Sequence, residues 1–398
     1  MLNKDMLALG TRRSTIRELF EYGRTLAQKV GAENVFDYSL GNPSIPAPDS
    51  VNRELKSIID TVPSITLHGY TSAEGDRSVR EAVAEYIRTQ HNAEASFSDI
   101  YMTAGAAAAL ICSLRAIIEE GDQVAVLAPY FPEYKVFIEG CGGEMRSALC
   151  RSDNFRPDIE ELDRAIGERC CAVILNSPNN PSGAVYTEDD IKAIADLLTR
   201  KAALFGHSIF IIADEPYREL VYNGAQVPFI PNYYKNTIVC YSFSKSLSLP
   251  GERIGYVFVS PLADSARDVF AAVAGAGRAS GYVCAPSLLQ RLVGRCIGET
   301  SDISRYLENR DILTSALREY GYTVPNADGA FYLFVKSPIP DARRFSDIAK
   351  EMGLLLVPSD DFGYGGFVRI AYCQSKDMII RSLPKFKELI EKVRGLTD

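Results

Sequence analysis

The sequence predicts an α/β fold with a large domain, built on a mainly parallel sheet flanked by helices, and a smaller α+β domain. Between residues 100 and 260, short apolar runs alternate with helical stretches, which is typical of a parallel sheet with helices on both faces. After Pro286 the pattern changes to helices with two or three short strands. The 398 residues also exceed the roughly 250–300 at which a single core stops growing, so more than one unit is expected.

The elements of the large domain follow from hydrophobic periodicity. A first helix is predicted over 14–30, with Gly31 as its C-cap, and an irregular crossing segment rich in glycine and proline follows over 38–48. Strands are predicted at 100–103, 123–127, 172–175, 209–213, 237–241 and 254–259. Helices are predicted between them at 106–119, 158–168 and 187–201.

The end of the chain predicts the smaller domain. A long helix is expected over 287–320, then strands at 331–335, 354–357 and 367–371, and a closing helix over 376–393 with a kink at Pro384. The expected division is a large domain of residues 49–286 and a small domain of residues 1–48 and 287–398.

Composition narrows the classes of partner. The chain is 46% hydrophobic and 24% charged, with a net charge of -8 and no basic tail, so nucleic acid is not an expected partner. No apolar run approaches the roughly 18 residues of a membrane-spanning helix, so no membrane association is expected. Nine scattered cysteines without a CxxC pair favour buried thiols in a reduced, cytoplasmic chain, and no metal site is expected.

Lys245 has the most informative surroundings in the chain. Ser242 and Ser244 precede it, apolar runs lie on both sides, and Arg253 follows eight residues later. An amine in a dry site can lose its proton and attack a carbonyl, and hydroxyls with an arginine suit a phosphate. The segment therefore points to pyridoxal 5'-phosphate held by Lys245 as a Schiff base. The plainer alternative is a solvated surface lysine after a strand.

Asp214 ends an apolar run, and Tyr217 follows three residues later. A carboxylate at the end of such a strand is costly without a partner, and the protonated ring nitrogen of the cofactor would be one. A charge-assisted hydrogen bond of this kind contributes roughly 1.5–3 kcal/mol. The alternative is an ordinary helix N-cap, and the tetrapeptide alone leaves the two interpretations about even.

Three further positions, Asn180, Gly105 and Ala106, each carry a weaker signal. Asn180 lies in a segment that suits a plain turn, and its amide could also contact the phenolic oxygen of the ring, as could Tyr217. Gly105 and Ala106 open a helix whose N–H groups could bind phosphate, or they simply permit tight packing.

Two other side chains have equally open interpretations. Phe131 could stack on the ring face or belong to the core. Arg369 lies within an apolar strand and requires a carboxylate, which could be a substrate α-carboxylate or an internal Asp or Glu.

Taken together, these residues resemble the class I/II aminotransferase family of fold-type I pyridoxal phosphate enzymes, the aspartate aminotransferase-like group. The resemblance covers nearly the whole chain. Each motif is weak alone, but N-P-[ST]-G, D-x-x-Y, S-x-S-K and R-x-G in this order are highly specific together. The matching residues in chain order are Gly41, Tyr70, Gly105, Ala106, Phe131, Asn180, Asp214, Tyr217, Ser242, Ser244, Lys245, Arg253 and Arg369.

The resemblance implies a seven-stranded sheet in the large domain and a small domain built from both chain ends. It implies a pyridoxal phosphate-dependent aminotransferase that moves an amino group between an L-amino acid and a 2-keto acid. It also implies a homodimer in which Tyr70 reaches the phosphate in the site of the neighbouring subunit.

The resemblance further implies roles for single residues. Lys245 would carry the cofactor and Asp214 would pair with its ring nitrogen, while Asn180 and Tyr217 would contact the phenolic oxygen. The phosphate would be held by Ser242, Ser244, Arg253 and the amides of Gly105 and Ala106. Arg369 would bind the substrate α-carboxylate, with Gly41 and Asn180 beside the substrate.

The chain departs from the family pattern at three places. Ala104 and Ala106 stand in a triplet where many relatives place a hydroxyl residue, which would remove one phosphate hydrogen bond. The ring-stacking position is Phe131, and the chain has no tryptophan. A second arginine for a side-chain carboxylate is not clearly assignable, although Arg278 lies in the right stretch.

Other functions remain open at this point. The first is β-elimination on the same cofactor, as in a carbon–sulfur lyase, because the residues around Lys245 would be shared. A serine acyl enzyme is disfavoured, since the formal S-D-N at Ser152 precedes the S-x-x-K at Ser242 and no K-T-G occurs. A non-catalytic regulatory domain is disfavoured by the lack of a basic patch.

Overall fold

The computed structural model describes residues 2–11 and 14–395. Its strands are β1 Phe36–Asp37, β2 Ile100–Thr103, β3 Gln123–Ala128, β4 Glu144–Leu149, β5 Cys170–Asn176, β6 Phe210–Asp214, β7 Thr237–Ser242, β8 Gly255–Val259, β9 Tyr332–Lys336, β10 Leu354–Leu355, β11 Val357–Pro358 and β12 Phe367–Ala371. Its helices are α1 Lys4–Thr11, α2 Thr15–Val30, α3 Asp49–Thr61, α4 Ser64–His68, α5 Arg77–His91, α6 Ala106–Ile117, α7 Glu133–Gly140, α8 Ile159–Ala165, α9 Glu188–Phe205, α10 Phe243–Ser246, α11 Ala266–Ala279, α12 Ser287–Arg295, α13 Ser304–Tyr320, α14 Ala342–Glu351 and α15 Lys376–Arg394.

A seven-stranded sheet forms the centre of the molecule, with the strand order β2-β8-β7-β6-β5-β3-β4. Both neighbours of β8 pair with it antiparallel, and all other pairs are parallel. The register sets Asn176 of β5 beside Asp214 of β6, and Asp214 beside Cys240 of β7. The carboxyl ends of these strands therefore meet at one edge, where parallel sheets place their ligands. The predicted α/β fold with a mainly parallel sheet is confirmed.

The six strands predicted for this sheet are present, and their ends agree to within two residues. The seventh, β4, has no apolar run to reveal it. It lies at the edge of the sheet and pairs only with β3. Four of its six residues are exposed. Periodicity identifies strands through burial, so an exposed edge strand is the one it misses.

The first predicted helix is confirmed as α2. The side chain of Ser14 accepts a hydrogen bond from the N–H of Arg17 as N-cap, and Gly31 ends the helix with a φ of 91°. The single helix predicted over 287–320 is wrong, because the chain forms α12 and α13 there with a break between them. Gly298 in the break has a φ of 82°, which no helix accommodates. The closing helix, α15, contains Pro384.

Three apolar clusters hold these elements together. Helices α6 and α11 pack on one face of the large sheet around residues such as Leu110 and Ile212. A second cluster covers the other face and includes residues of α5, α9 and α12. The third joins Phe36 and Tyr38 to the three-stranded sheet β11-β12-β9 and to helices α13 and α15. Within the described residues, no helix is long and apolar enough to cross a membrane.

Candidate active site

A cavity of about 290 Å³ opens at the carboxyl edge of the large sheet. It is lined by eleven of the thirteen residues that the sequence singles out, namely Gly41, Ala106, Phe131, Asn180, Asp214, Tyr217, Ser242, Ser244, Lys245, Arg253 and Arg369. Gly105 lies directly behind this lining. Tyr70 is outside it, with 95% of its surface exposed. Residues up to 328 positions apart in the sequence thus meet in one space.

Lys245 lies in α10, the single helical turn that follows β7. Its Nζ donates a hydrogen bond to the main-chain oxygen of Gly41 at 2.7 Å and lies 5.4 Å from the centre of the Phe331 ring. Shielding from water lowers the pKa of this amine to about 8, because it disfavours the ammonium form. The surface-lysine interpretation is therefore wrong, and the side chain is suited to nucleophilic and base chemistry.

Asp214 is the last residue of β6, and a turn rather than a helix follows it, so the N-cap interpretation is wrong. Its Oδ2 accepts a hydrogen bond from the hydroxyl of Tyr134 at 2.5 Å. Its Oδ1 is buried and has no hydrogen-bond partner among the described residues. Burial raises the pKa of this carboxyl to about 7, and the hydrogen bond from Tyr134 partly opposes the rise. One buried oxygen is thus left to accept a proton or a hydrogen bond from a ligand.

Asn180 and Tyr217 line the cavity beside Asp214. The segment of Asn180 is indeed a turn, since the N–H of Gly183 donates to the oxygen of Asn179 at 2.9 Å. The side chain of Asn180 nevertheless faces the cavity, so the two interpretations of this segment are compatible. The hydroxyl of Tyr217 lies 3.0 Å from that of Tyr332, and burial raises the pKa of Tyr217 well above its ordinary value.

Another part of the cavity lining has the features of an anion site. The hydroxyls of Ser242 and Ser244 lie 2.8 Å apart, and helix α6 begins nearby with Ala106 in the lining. Gly105 precedes this helix with a φ of 83°, and a Cβ there would lie 3.0 Å from Nη2 of Arg253. Glycine therefore lets the guanidinium approach the helix N-terminus, where free N–H groups favour a phosphate.

Arg369, in β12, is 2% exposed. Its Nη1 donates to Oδ1 of Asn180 at 3.0 Å and its Nη2 to the oxygen of Ser39 at 2.5 Å, while its Nε finds no hydrogen-bond partner in the part of the chain that the structure describes. Among the described residues no carboxylate forms a salt bridge with it, so the internal-acid interpretation is wrong. A buried guanidinium held only by neutral oxygens retains its affinity for a carboxylate from outside the protein.

These groups fit pyridoxal phosphate. The unpartnered oxygen of Asp214 suits the N–H of a protonated pyridine ring, and the hydroxyls, Arg253 and the start of α6 suit the phosphate. The amine of Lys245 lines the same cavity as these groups.

Comparison with known proteins gives the same answer. The sequence profile of the family described as aminotransferase class I and II matches residues 33–383. The chain belongs to the class I and II aminotransferase family. It is a pyridoxal phosphate-dependent aminotransferase, and the carbon–sulfur lyase alternative is not favoured, because similar proteins are named aminotransferases.

Individual relatives of this aminotransferase cover almost its full length. The aspartate aminotransferase of Pyrococcus horikoshii is 28% identical over 96% of this chain and 95% of that protein. The aspartate/prephenate aminotransferase of Thermus thermophilus is 30% identical over 81% of this chain and 83% of that protein. A crystal structure of an amino transferase from Eubacterium rectale is 50% identical, with a TM-score of 0.97 over 98% of this chain and 99% of that chain.

The sequence did not identify every residue at the site of this aminotransferase. Tyr134 and Tyr332, which contact Asp214 and Tyr217, were not predicted, and neither was Ala107 in the lining. Ala107 could have been found as the next residue of the same helical turn. The two tyrosines carried no local signal, because their partners are distant in the sequence. Arg278 is exposed on α11 and does not line the cavity of its own chain.

Proposed function

We propose that this cavity is the active site, in which Lys245 carries pyridoxal phosphate and an amino group moves between an L-amino acid and a 2-keto acid. One observation supports this most directly. An amine with a pKa of about 8 shares the cavity with the unpartnered Oδ1 of Asp214 and with the buried guanidinium of Arg369. Binding of a cofactor ring and an amino acid requires these three groups: an amine, a carboxylate and a guanidinium.

Each end of the cofactor has its own set of residues in this proposal. Asp214 pairs with the ring nitrogen, Phe131 covers the ring face, and Asn180 and Tyr217 contact the phenolic oxygen. Ser242, Ser244, Arg253 and the amides of Gly105 and Ala106 hold the phosphate. When bound, the cofactor supplies a protonated ring that accepts electron density from the substrate Cα.

The proton at the substrate Cα is moved by Lys245. Its lowered pKa leaves a useful fraction of neutral amine near neutral pH, so Nζ can take the proton and later return it. In the cofactor-free protein, the hydrogen bond to the oxygen of Gly41 holds Nζ on this side of the cavity. Asp214 meanwhile keeps the ring in its electron-accepting form through a buried, charge-assisted hydrogen bond.

Arg369 binds the α-carboxylate of the substrate. Its guanidinium offers a planar fork, and the rings of Tyr332 and Phe362 pack against it at 4.8 and 5.1 Å from their centres. These rings fix its plane, and the contact to Oδ1 of Asn180 fixes one edge. Gly41 and Asn180 lie beside this carboxylate site. The substrate class is therefore an α-amino acid and its 2-keto acid, because both carry that carboxylate.

Two variants test the assignment. Lys245→Ala is expected to abolish transamination while the circular dichroism spectrum is unchanged, and borohydride reduction is expected to label wild-type protein at position 245. Lys201→Ala is the matched control, because Lys201 lies on α9 and its Nζ contacts Asp163, the main-chain oxygen of Ile166 and the ring of Phe205, none of which lines the cavity. Substantial turnover by Lys245→Ala would refute the proposal. The substrates are identified by assaying a panel of amino acids with 2-oxoglutarate or pyruvate as the acceptor. The panel includes aspartate and aromatic amino acids, because relatives are named for those donors.

We propose further that the active form is a homodimer in which Tyr70 reaches the phosphate in the partner's site. Its 95% exposure on the free chain supports a residue that functions in another subunit. A mixture of Lys245→Ala and Tyr70→Phe proteins tests this. Mixed dimers would carry one site with both residues intact, so refolding the two inactive or slow variants together should restore activity. Absence of any gain would exclude a shared site.

Domain division and location complete the proposal. Residues 49–286 form the cofactor-binding domain, and residues 1–48 and 287–398 form the small one. Limited proteolysis at the two boundaries tests this division.

All nine cysteines are free, which supports a reducing compartment such as the cytoplasm. Fractionation of the cells that make the protein tests this location.

A further inference from the structure

We infer that Tyr134 is a positioning residue, which orients the carboxylate of Asp214 so that one oxygen faces the cofactor ring. This inference rests on the proposed role of Asp214. Tyr134 lies in the first turn of α7 and is 2% exposed, and its hydroxyl donates to Oδ2 of Asp214. It does not line the cavity, so its hydroxyl acts on the reaction through Asp214.

The two ends of Asp214 are held by different residues. The side-chain amide of Asn176 donates to its main-chain oxygen at 2.8 Å, which fixes the end of β6. Its carboxylate has one hydrogen-bond partner within the described residues, which is Tyr134, and the bond is made by Oδ2 alone. Rotation of the carboxylate is therefore opposed mainly by this bond. With Oδ2 occupied, Oδ1 is the oxygen left for the ring nitrogen.

Tyr134 is itself held firmly. Its ring meets Phe131 edge-on, with centres 5.7 Å apart and planes at 87°. Phe131 lines the cavity at the proposed ring face, so one short segment after β3 supplies both a lining residue for the proposed ring site and the contact to the carboxylate of Asp214. Tyr134 also packs in the apolar cluster under α6. A rigid phenol with a single polar partner is well placed to set the direction of that partner.

The same hydrogen bond favours the charged carboxylate. Burial raises the pKa of Asp214, and so does the neighbouring Glu215, whereas Tyr134 lowers it. The other titratable groups near the carboxylate are Tyr217 and the thiol of Cys240, both with pKa values raised by burial. Neither provides a positive charge. Loss of the Tyr134 hydroxyl therefore leaves Asp214 protonated to a higher pH, and a protonated carboxyl holds a pyridinium ring less strongly.

The first experiment uses the cofactor-free protein and needs no turnover. The infrared band of protonated Asp214, identified by its loss in Asp214→Asn, is titrated in wild type and in Tyr134→Phe. The midpoint is expected to rise by about one pH unit in Tyr134→Phe, since a hydrogen bond to a charged group is worth roughly that much. An unchanged midpoint would overturn the inference.

The second experiment measures affinity for pyridoxal phosphate. Tyr134→Phe is expected to weaken binding about tenfold and to lower kcat while the KM of the amino acid changes little. Tyr234→Phe is the matched control, because its hydroxyl donates to the oxygen of Ile209 before the other end of β6. It should leave cofactor affinity at the wild-type value. Equal losses in both variants would indicate a general effect on the sheet and would contradict a positioning role.

A double variant separates this inference from the proposed function. If Tyr134 acts only through Asp214, Tyr134→Phe should add no further loss of affinity in an Asp214→Asn background. Additive losses would show an independent role for Tyr134 and overturn the inference. If Asp214→Asn itself binds the cofactor like wild type, the proposed role of Asp214 fails. A defective Asp214→Asn with a normal Tyr134→Phe would overturn only the inference.

Discussion

The amine of Lys245 and the main-chain oxygen of Gly41 are joined by a hydrogen bond of 2.7 Å, although 204 residues separate them in the sequence. Gly41 belongs to the crossing segment before α3, and no side chain fits at its position. A Cβ there would lie 2.0 Å from the hydroxyl oxygen of Tyr332. The same glycine therefore presents its oxygen to Lys245 and leaves room for the tyrosine that contacts Tyr217.

Gly41→Ala is expected to slow the reaction by at least about tenfold, because either the crossing segment or Tyr332 must move. The rate of cofactor uptake by the cofactor-free protein should fall with it. Gly275→Ala is the control, since that glycine lies in α11 with open space around its Cα. Steady-state kinetics and stopped-flow absorbance measure the two rates. Wild-type values for both in Gly41→Ala would contradict the contact.

The pH dependence of cofactor uptake should report the amine of Lys245. Only the neutral amine attacks the aldehyde, and the pKa of Lys245 is lowered to about 8 by burial. The initial rate at which cofactor-free protein binds pyridoxal phosphate should therefore rise from pH 6 and level off above about 8. A surface lysine would give a rate that still increases at pH 10, and that result would contradict the assigned environment.

Asp214→Asn should make the cofactor-free protein more stable and should weaken the binding of pyridoxal phosphate. The folded-state pKa of Asp214 is raised to about 7, so its carboxyl costs little stability below about pH 4. As the pH rises from about 4 to about 7, the carboxyl ionises in the unfolded chain but stays protonated in the folded protein, so the folded protein loses stability. The variant has no such loss, so its melting temperature should exceed that of wild type more at pH 8 than at pH 5.

The same variant should bind pyridoxal phosphate poorly, because an amide cannot offer a negative charge to the ring nitrogen. Scanning calorimetry of cofactor-free proteins at both pH values, together with cofactor titrations, measures the two opposed effects. A stability difference that does not depend on pH would show that the carboxyl of Asp214 is not held in a dry site.

Arg369→Lys should impair substrate binding more than cofactor binding. Lysine keeps the positive charge but loses the planar fork that grips a carboxylate with two parallel hydrogen bonds. The KM of the amino acid should rise by about 10- to 100-fold, while the dissociation constant of pyridoxal phosphate stays within about twofold. An amine substrate without a carboxylate is the control, since its slow reaction should not change. Equal effects on both substrates would remove the proposed role.

Local chemistry explains what the sequence could predict. Ser242, Ser244 and Lys245 are neighbours in the chain, and Asp214 directly follows a buried strand, so their residue types and spacing are visible without a structure. The six buried strands are also visible without a structure, because each consists of consecutive apolar residues. The exposed edge strand β4 and the break between α12 and α13 have no such continuous signal.

Contacts between distant segments were decided by the tertiary structure alone. The sequence indicated that Asp214 needs a partner, but only packing placed Tyr134 on one of its oxygens and left the other without a partner among residues 2–11 and 14–395. Likewise, only the fold showed that Arg369 meets neutral oxygens instead of an internal acid. The physical reason is that the chemical reactivity of a side chain depends on its residue type, which can be read from the sequence. Burial and orientation depend on which remote segments pack together.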